Sequence, residues 1–374
     1  MLELCRFVTP CLRIAAAAIA FLVLTTPVRA DDEALLQRFP RIVTIASTIP
    51  PNGDLNPYGI ATVTRTMGAL HRGNVLISNF NDAANLQGTG TTIVQIDPEG
   101  RIGVFAQINP AKLDGQCPGG VGLTTALVVL ERGWVIVGSL PSSTGQAVNA
   151  GAGCLLVLDA HGTVVETFRG AGIDGPWDMT ALDEGDDAIL FVSNVLNGNV
   201  TSGSPHVVNE GTVLRIVLEV PEQGQGRPRL VATTVIGSGF SETADPVALV
   251  IGPTGLGLSW DGTLYVADTL NNRIAAIPDA LTRQTALPTG LTVAHGGSLN
   301  GPLGLAITPN GNILTANAGD GNLVETTPGG AQAAVKTVDF ATGAGSLFGL
   351  TLAPRGRGLY FVDDGDNTLK ALVR

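Results

Sequence analysis

The sequence predicts an all-β protein, a six-bladed β-propeller preceded by a signal peptide, and three observations predict it. A strand–turn–strand unit recurs six times along the chain. The second strand of each unit is an apolar run rather than an alternation, as expected of a strand covered on both faces by neighbouring blades. A lone strand near the N-terminus, Arg41 to Thr48, has no hairpin partner of its own, while the last unit stops one strand short. Pairing the two would close the ring and remove an exposed edge.

The clearest unit runs from Gly252 to Pro278. It opens with a strand from Gly252 to Ser259, turns at Trp260-Asp261-Gly262, continues as Thr263 to Asp268 and ends as Arg273 to Ile277. The Asp-Gly and Asn-Gly pairs of the repeat supply the positive φ that tight hairpins need. Units beginning at Gly301 and Leu347 repeat this order, and looser copies begin at Asn56, Gly122 and Gly175. The residues ending the second strands are Asn79, Gly138, Asn194, Asp268, Asn317 and Asp363, spaced 46 to 74 residues apart. A seventh blade would need a further copy between Leu218 and Val250, where only one strand, Arg229 to Ile236, is expected.

Residues 1–30 read as an export signal. Arg6 and Arg13 precede an apolar run of 11 residues, Ile14 to Leu24, followed by Val28-Arg29-Ala30. The run is shorter than the roughly 20 residues a spanning helix requires. The domain is therefore expected to occupy residues 31–374, in the periplasm or outside the cell. Removing the leader takes away three arginines and one glutamate, moving the net charge from −11 to −13. Such acidity without a basic cluster excludes nucleic acid and anionic membranes as partners. Charged residues are 14% of the chain against roughly 25% in an average domain, which argues for a large interior and against disorder. A monomer is expected. The two cysteines beyond the leader, Cys117 and Cys154, fall in loops of one blade and are expected to form a disulfide.

The stretch Leu264-Tyr-Val-Ala-Asp-Thr-Leu-Asn-Asn-Arg-Ile274 resembles the signature of NHL repeats. The resemblance implies a propeller, and it implies hosts of several functions. Gly255 to Asp268 is also similar to calcium-dependent lactonases of the regucalcin and gluconolactonase type, with Asp268 at the position of their catalytic acid. Thr254 stands where those enzymes carry an asparagine, and no early glutamate matches their metal ligand. Streptogramin-lyase-like propellers use a His and Glu pair, for which His206 with Glu210, or His295, are the available residues.

Loops after the second strands and between blades share one end of a propeller, and in this chain they are the long ones: 79–92, 138–153, 194–211, 108–121 and 238–253. Elaborated loops at one end of a rigid scaffold are the expected place for a site. Asn79, Asn194, Asp268, Asn317 and Asp363 end second strands there. They either converge as oxygen ligands for a cation such as Ca²⁺, with Asp268, Asn317 and Asp363 the metal candidates, or cap their own loops. Trp177 and Asp178 open a first strand and suit a ligand with an apolar face and a donor, and Tyr58 is their counterpart. The acidic clusters Asp183–Asp187 and Asp363–Asp366 read as solvated turns. The functional expectation is an exported propeller that binds a small molecule, glycan or protein at its insertion-rich face. The alternative is a metal-dependent lactonase, hydrolase or lyase acting at the channel mouth.

Overall fold

Six sheets follow one another along the chain, five of four antiparallel strands and one, in blade 3, extended to six, in a computed structural model that describes residues 33–113, 116–195, 206–340 and 345–374. The expected leader, residues 1–30, lies outside the described residues. Blade 1 is formed by Leu55–Thr62, Val75–Asn81, Thr92–Ile96 and Ile102–Gln107. Blade 2 is formed by Leu123–Val129, Val135–Ser139, Cys154–Leu158 and Val164–Phe168. Blade 3 uses Pro176–Asp183, Asp187–Asn194, Val208–Glu219 and the long strand Arg229–Asp245. Blades 4 and 5 begin at Pro253–Leu258 and Pro302–Ile307 and end at Leu291–His295 and Gln332–Thr337. Blade 6 takes three strands from the C-terminus, Leu347–Leu352, Leu359–Asp363 and Thr368–Val373.

Its fourth strand is Arg41–Ser47, antiparallel to Thr368–Val373 with Arg41 opposite Val373 and Ser47 opposite Thr368. The ring is thus closed by the N-terminal strand, as the sequence predicts. A short helix before it, Leu35–Arg38, buries Leu35, Leu36 and, just beyond, Phe39 against blades 5 and 6. Leu36 N–H donates to the buried Glu325 carboxylate at 3.0 Å, whose other oxygen accepts from Asn312 at 2.7 Å.

Two hairpin turns at the far end, in blades 1 and 2, use one device. The aspartate before the turn accepts two backbone N–H groups, as Asp97 does from Glu99 and Arg101 (3.0 and 2.8 Å) and Asp159 from His161 and Thr163 (2.9 Å each). The turn then passes through a glycine at positive φ, 83° at Gly100 and 82° at Gly162.

The inner strands share a register written in the repeat. Pro57, Pro176, Pro253, Pro302 and Leu347 lie opposite Asn79, Asn194, Asp268, Asn317 and Asp363. In blade 2 the pair is Leu123 with Ser139, so the residue equivalent to the others is Ser139, one place beyond the Gly138 suggested by the sequence. Two positions after the proline, four blades carry glycine because the next blade leaves no room. A Cβ on Gly255 would sit 2.1 Å from Leu303 O, and one on Gly304 the same distance from Phe348 O.

The expected loop 238–253 is instead a hairpin. The fourth strand of blade 3 runs on to Asp245 and returns as Leu249–Ile251. It belongs to blade 3 and supplies no seventh blade. Cys117 and Cys154 are bonded, with Cα atoms 5.6 Å apart, and tie the loop entering blade 2 to that blade's third strand. Closing a loop of sequence separation 37 contributes on the order of 3–4 kcal/mol in a chain-entropy account.

Candidate functional site

Adjacent residues on a strand face opposite ways, and this splits the central channel into two chambers. In blades 1, 3, 5 and 6 the residue after the inner-strand proline, or after Leu347 in blade 6, turns toward the insertion-rich mouth: Tyr58, Trp177, Leu303 and Phe348 line an upper chamber of about 470 Å³, while Thr254 of blade 4 lines the lower one. The next residue along turns away, so Asp178, Gly304 and Gly349 line a lower chamber of about 410 Å³ with Thr62, Thr125 and Thr180. Trp177 and Asp178, expected to act together on one ligand, are therefore on opposite sides of this boundary.

The floor of the upper chamber is aromatic. Tyr58 stacks on Phe348 with ring centroids 3.9 Å apart and on Phe80 at 4.6 Å, and Trp177 meets both Tyr58 and Phe80 edge-on at 5.9 and 5.5 Å. The Tyr58 hydroxyl is buried, the residue being 1% exposed, and finds no hydrogen-bond partner among the described residues. Burial, then the Asp364 and Asp245 charges, holds its pKa well above that of free tyrosine.

Polar groups converge on the walls. Asn56 is held at φ 63° by a hydrogen bond from its own N–H to Asn367 Oδ1 (2.8 Å). With its amide nitrogen turned to the carboxylate, it donates to both oxygens of Asp364 at 3.0 Å and accepts from Asn81 Nδ2 at 3.2 Å. Asp364 is not the solvated turn residue expected. Burial, then the neighbouring Asp363 charge, pushes its pKa up to about 7. Opposite it, Asp245 sits at the start of the hairpin turn and accepts from Val247 and Ala248 N–H at 2.7 and 2.8 Å. The roof joins two blades: Gln87, from the blade 1 insertion, donates to Val247 O at the hairpin tip.

The residues ending the second strands are buried and bonded locally, except that the Asn79 and Asn317 side-chain oxygens have no partner among the described residues. Asn194 accepts from Asp174 and Gly175 N–H (2.9 and 3.0 Å), and Asn79 donates to Thr48 O (3.1 Å). Asp268 is paired with Arg273 at 2.6 Å and takes two bonds from Asn271. Asn317 donates to Ser298 O and Asp320, and Asp363 is paired with Lys370 at 2.5 Å. Asp268, Asn317 and Asp363, the metal candidates, thus each turn to partners other than one another. Among the described residues no three His, Cys, Asp or Glu side chains group to hold a metal. Asp268 and Asp363, the two carboxylates of that set, are each held by a cation and in this arrangement present no free carboxylate oxygens as a set to a hard cation. His206, Glu210 and His295 are exposed.

Asp178 stands where four other blades place glycine. Its carboxylate bridges to blade 4, accepting from Leu256 N–H at 3.0 Å. Burial pushes its pKa up to about 7 in spite of the Met179 and Leu256 N–H groups, which favour the charged form.

Fold and mouth together define a six-bladed β-propeller with an aromatic-floored, carboxylate-walled chamber at its insertion-rich end. No protein-family model matches the chain, and no curated protein matches it. Solved structures do. A gluconolactonase from Xanthomonas campestris is similar over 91% of both chains at 15% identity, with a TM-score of 0.56. A luciferin-regenerating enzyme is similar at 11% identity over 89% of this chain and 96% of its own, TM-score 0.55. A calcium-binding protein, regucalcin, from Agrobacterium tumefaciens is similar at 15% identity over 88% and 94%, TM-score 0.52. Likeness at these identities establishes the fold.

Proposed function

We propose that this protein is an exported binding propeller that holds a small organic molecule in the upper chamber. One observation carries the reading: a chamber of about 470 Å³, within the range of small-molecule sites, is floored by stacked aromatic rings and contains the buried, unpartnered Tyr58 hydroxyl. A buried hydroxyl without a partner costs stability, and a ligand supplying that partner would offset the cost. The disulfide between Cys117 and Cys154 supports an oxidising compartment, in keeping with the leader. The NHL-like stretch Leu264–Ile274 is compatible with a binding role and selects no ligand.

A metal-dependent lactonase of the gluconolactonase type is the alternative that fold likeness brings to mind. It would require Asp268 and Asp363 to leave Arg273 and Lys370, so the binding reading is preferred.

Calorimetric titration with 2-phenylethanol tests the reading. The probe is expected to bind with a dissociation constant in the millimolar range or tighter. Ala248→Phe, which places a ring in the chamber wall, is expected to abolish binding while leaving the melting temperature within about 3 °C. Unchanged affinity in this variant, or no binding to the parent protein, would refute the chamber as the site.

A further inference from the structure

We propose that the upper chamber selects organic cations, molecules carrying an ammonium or amidinium group on a compact apolar body. This rests on the chamber being the binding site and goes further by assigning the charge of its occupant.

The chamber's charge is one-sided. Asp245 and Asp364 line it, and among the described residues no lysine, arginine or histidine does. The donors that reach these carboxylates are neutral: the Asn56 amide for Asp364, and the Val247 and Ala248 N–H groups for Asp245. The nearest cation along the chain, Lys370, is committed to Asp363 at 2.5 Å and Asp366 at 2.9 Å. A ligand that fills the chamber strips water from both carboxylates. A neutral ligand leaves that desolvation uncompensated, an anion adds repulsion, and a cation supplies the missing charge.

The floor favours the same sign. Trp177 and Phe348 line the chamber with aromatic rings, and a cation close to such rings is attracted by their quadrupoles. The unpartnered Tyr58 hydroxyl has free lone pairs and can accept a hydrogen bond from an ammonium group. Cation-accepting groups therefore occur on both wall and floor, and they come from blades 1, 3 and 6, which are distant in sequence.

Three probes of one shape decide the matter: 2-phenylethylamine, 2-phenylethanol and 3-phenylpropanoate, titrated into the full exported chain. The amine is expected to bind at least about tenfold more tightly than the alcohol, and the carboxylate not at all. Asp364→Asn is expected to reduce the amine to about the affinity of the alcohol while leaving the alcohol unchanged. Asp245→Asn provides a second, independent reduction should the first variant disturb Asn56. Equal binding of amine and alcohol, both abolished by Ala248→Phe, would overturn the charge assignment and leave the chamber as the site. Tighter binding of the carboxylate would overturn it as well. Binding of none of the three would remove the chamber reading together with the charge assignment.

Discussion

A chain beginning at residue 48 is expected to lose cooperative folding. Among the described residues, the closing strand Arg41–Ser47 and the helix before it cover one edge of blade 6 and part of its seam with blade 5. Removing them exposes the unpaired ladder of Thr368–Val373 and uncovers the pocket filled by Leu35, Leu36 and Phe39. Each of those side chains contributes about 1.5–3 kcal/mol when fully buried. It also deprives the buried Glu325 of the Leu36 N–H, an additional cost of about 1–3 kcal/mol. These losses together approach or exceed the 5–15 kcal/mol that typically holds a domain. Differential scanning calorimetry checks this: a single sharp transition in the truncated chain, near the parent temperature, would show that the ring does not depend on its closure.

The second large effect is a pH dependence located at Asp178. Its pKa rises from 3.8 to about 7 on folding, so the folded state binds the proton more tightly than the unfolded one. Stability from this group is complete below about pH 4 and is lost as pH rises toward 7. Three units correspond to about 4 kcal/mol at 1.36 kcal/mol per unit, and solvent screening of a side chain that is only partly buried reduces this to about 2–3 kcal/mol. Asp178→Asn keeps an acceptor for Leu256 N–H and removes the titration. The variant is expected to match the parent near pH 4 and to exceed it by about 2–3 kcal/mol above pH 8. Asp364 also titrates near 7 in the folded chain, but it is common to both proteins and cancels in the comparison. Denaturant melts at the two pH values read the difference directly, and an equal gain at both would mean that Asp178 acts through packing and not through charge.

Much of the architecture is legible in the sequence because the repeat encodes register. A proline or leucine opening each inner strand lies opposite the residue that ends the second strand, and six such pairs define six blades. The closing strand and the disulfide follow from the same grammar, since an unpaired strand needs an edge and two loops of one blade share an end. The hairpin Arg229–Ile251 escaped because Thr243-Ala-Asp-Pro-Val-Ala248 carries neither the apolar run of a buried strand nor an Asp-Gly turn. The site was read less well, for two physical reasons. Trp177 and Asp178 are adjacent in sequence, and strand geometry sends adjacent side chains to different chambers. Asp364 lies in an Asp-Asp-Gly-Asp turn that looks solvated, yet its environment is set by Asn56, 308 positions earlier, brought alongside by closure of the ring. Only contacts made across the closed ring turn an ordinary acidic turn into the wall of a chamber.

A crystal structure of the full chain soaked with 2-phenylethylamine would show directly what the upper chamber holds. The phenyl ring is expected against Trp177 and Phe348, with the ammonium group in hydrogen-bonding contact with Asp364 or Asp245. A probe seated elsewhere, or a chamber filled by its own hairpin turn 245–248 with the Tyr58 hydroxyl bonded to protein, would contradict it.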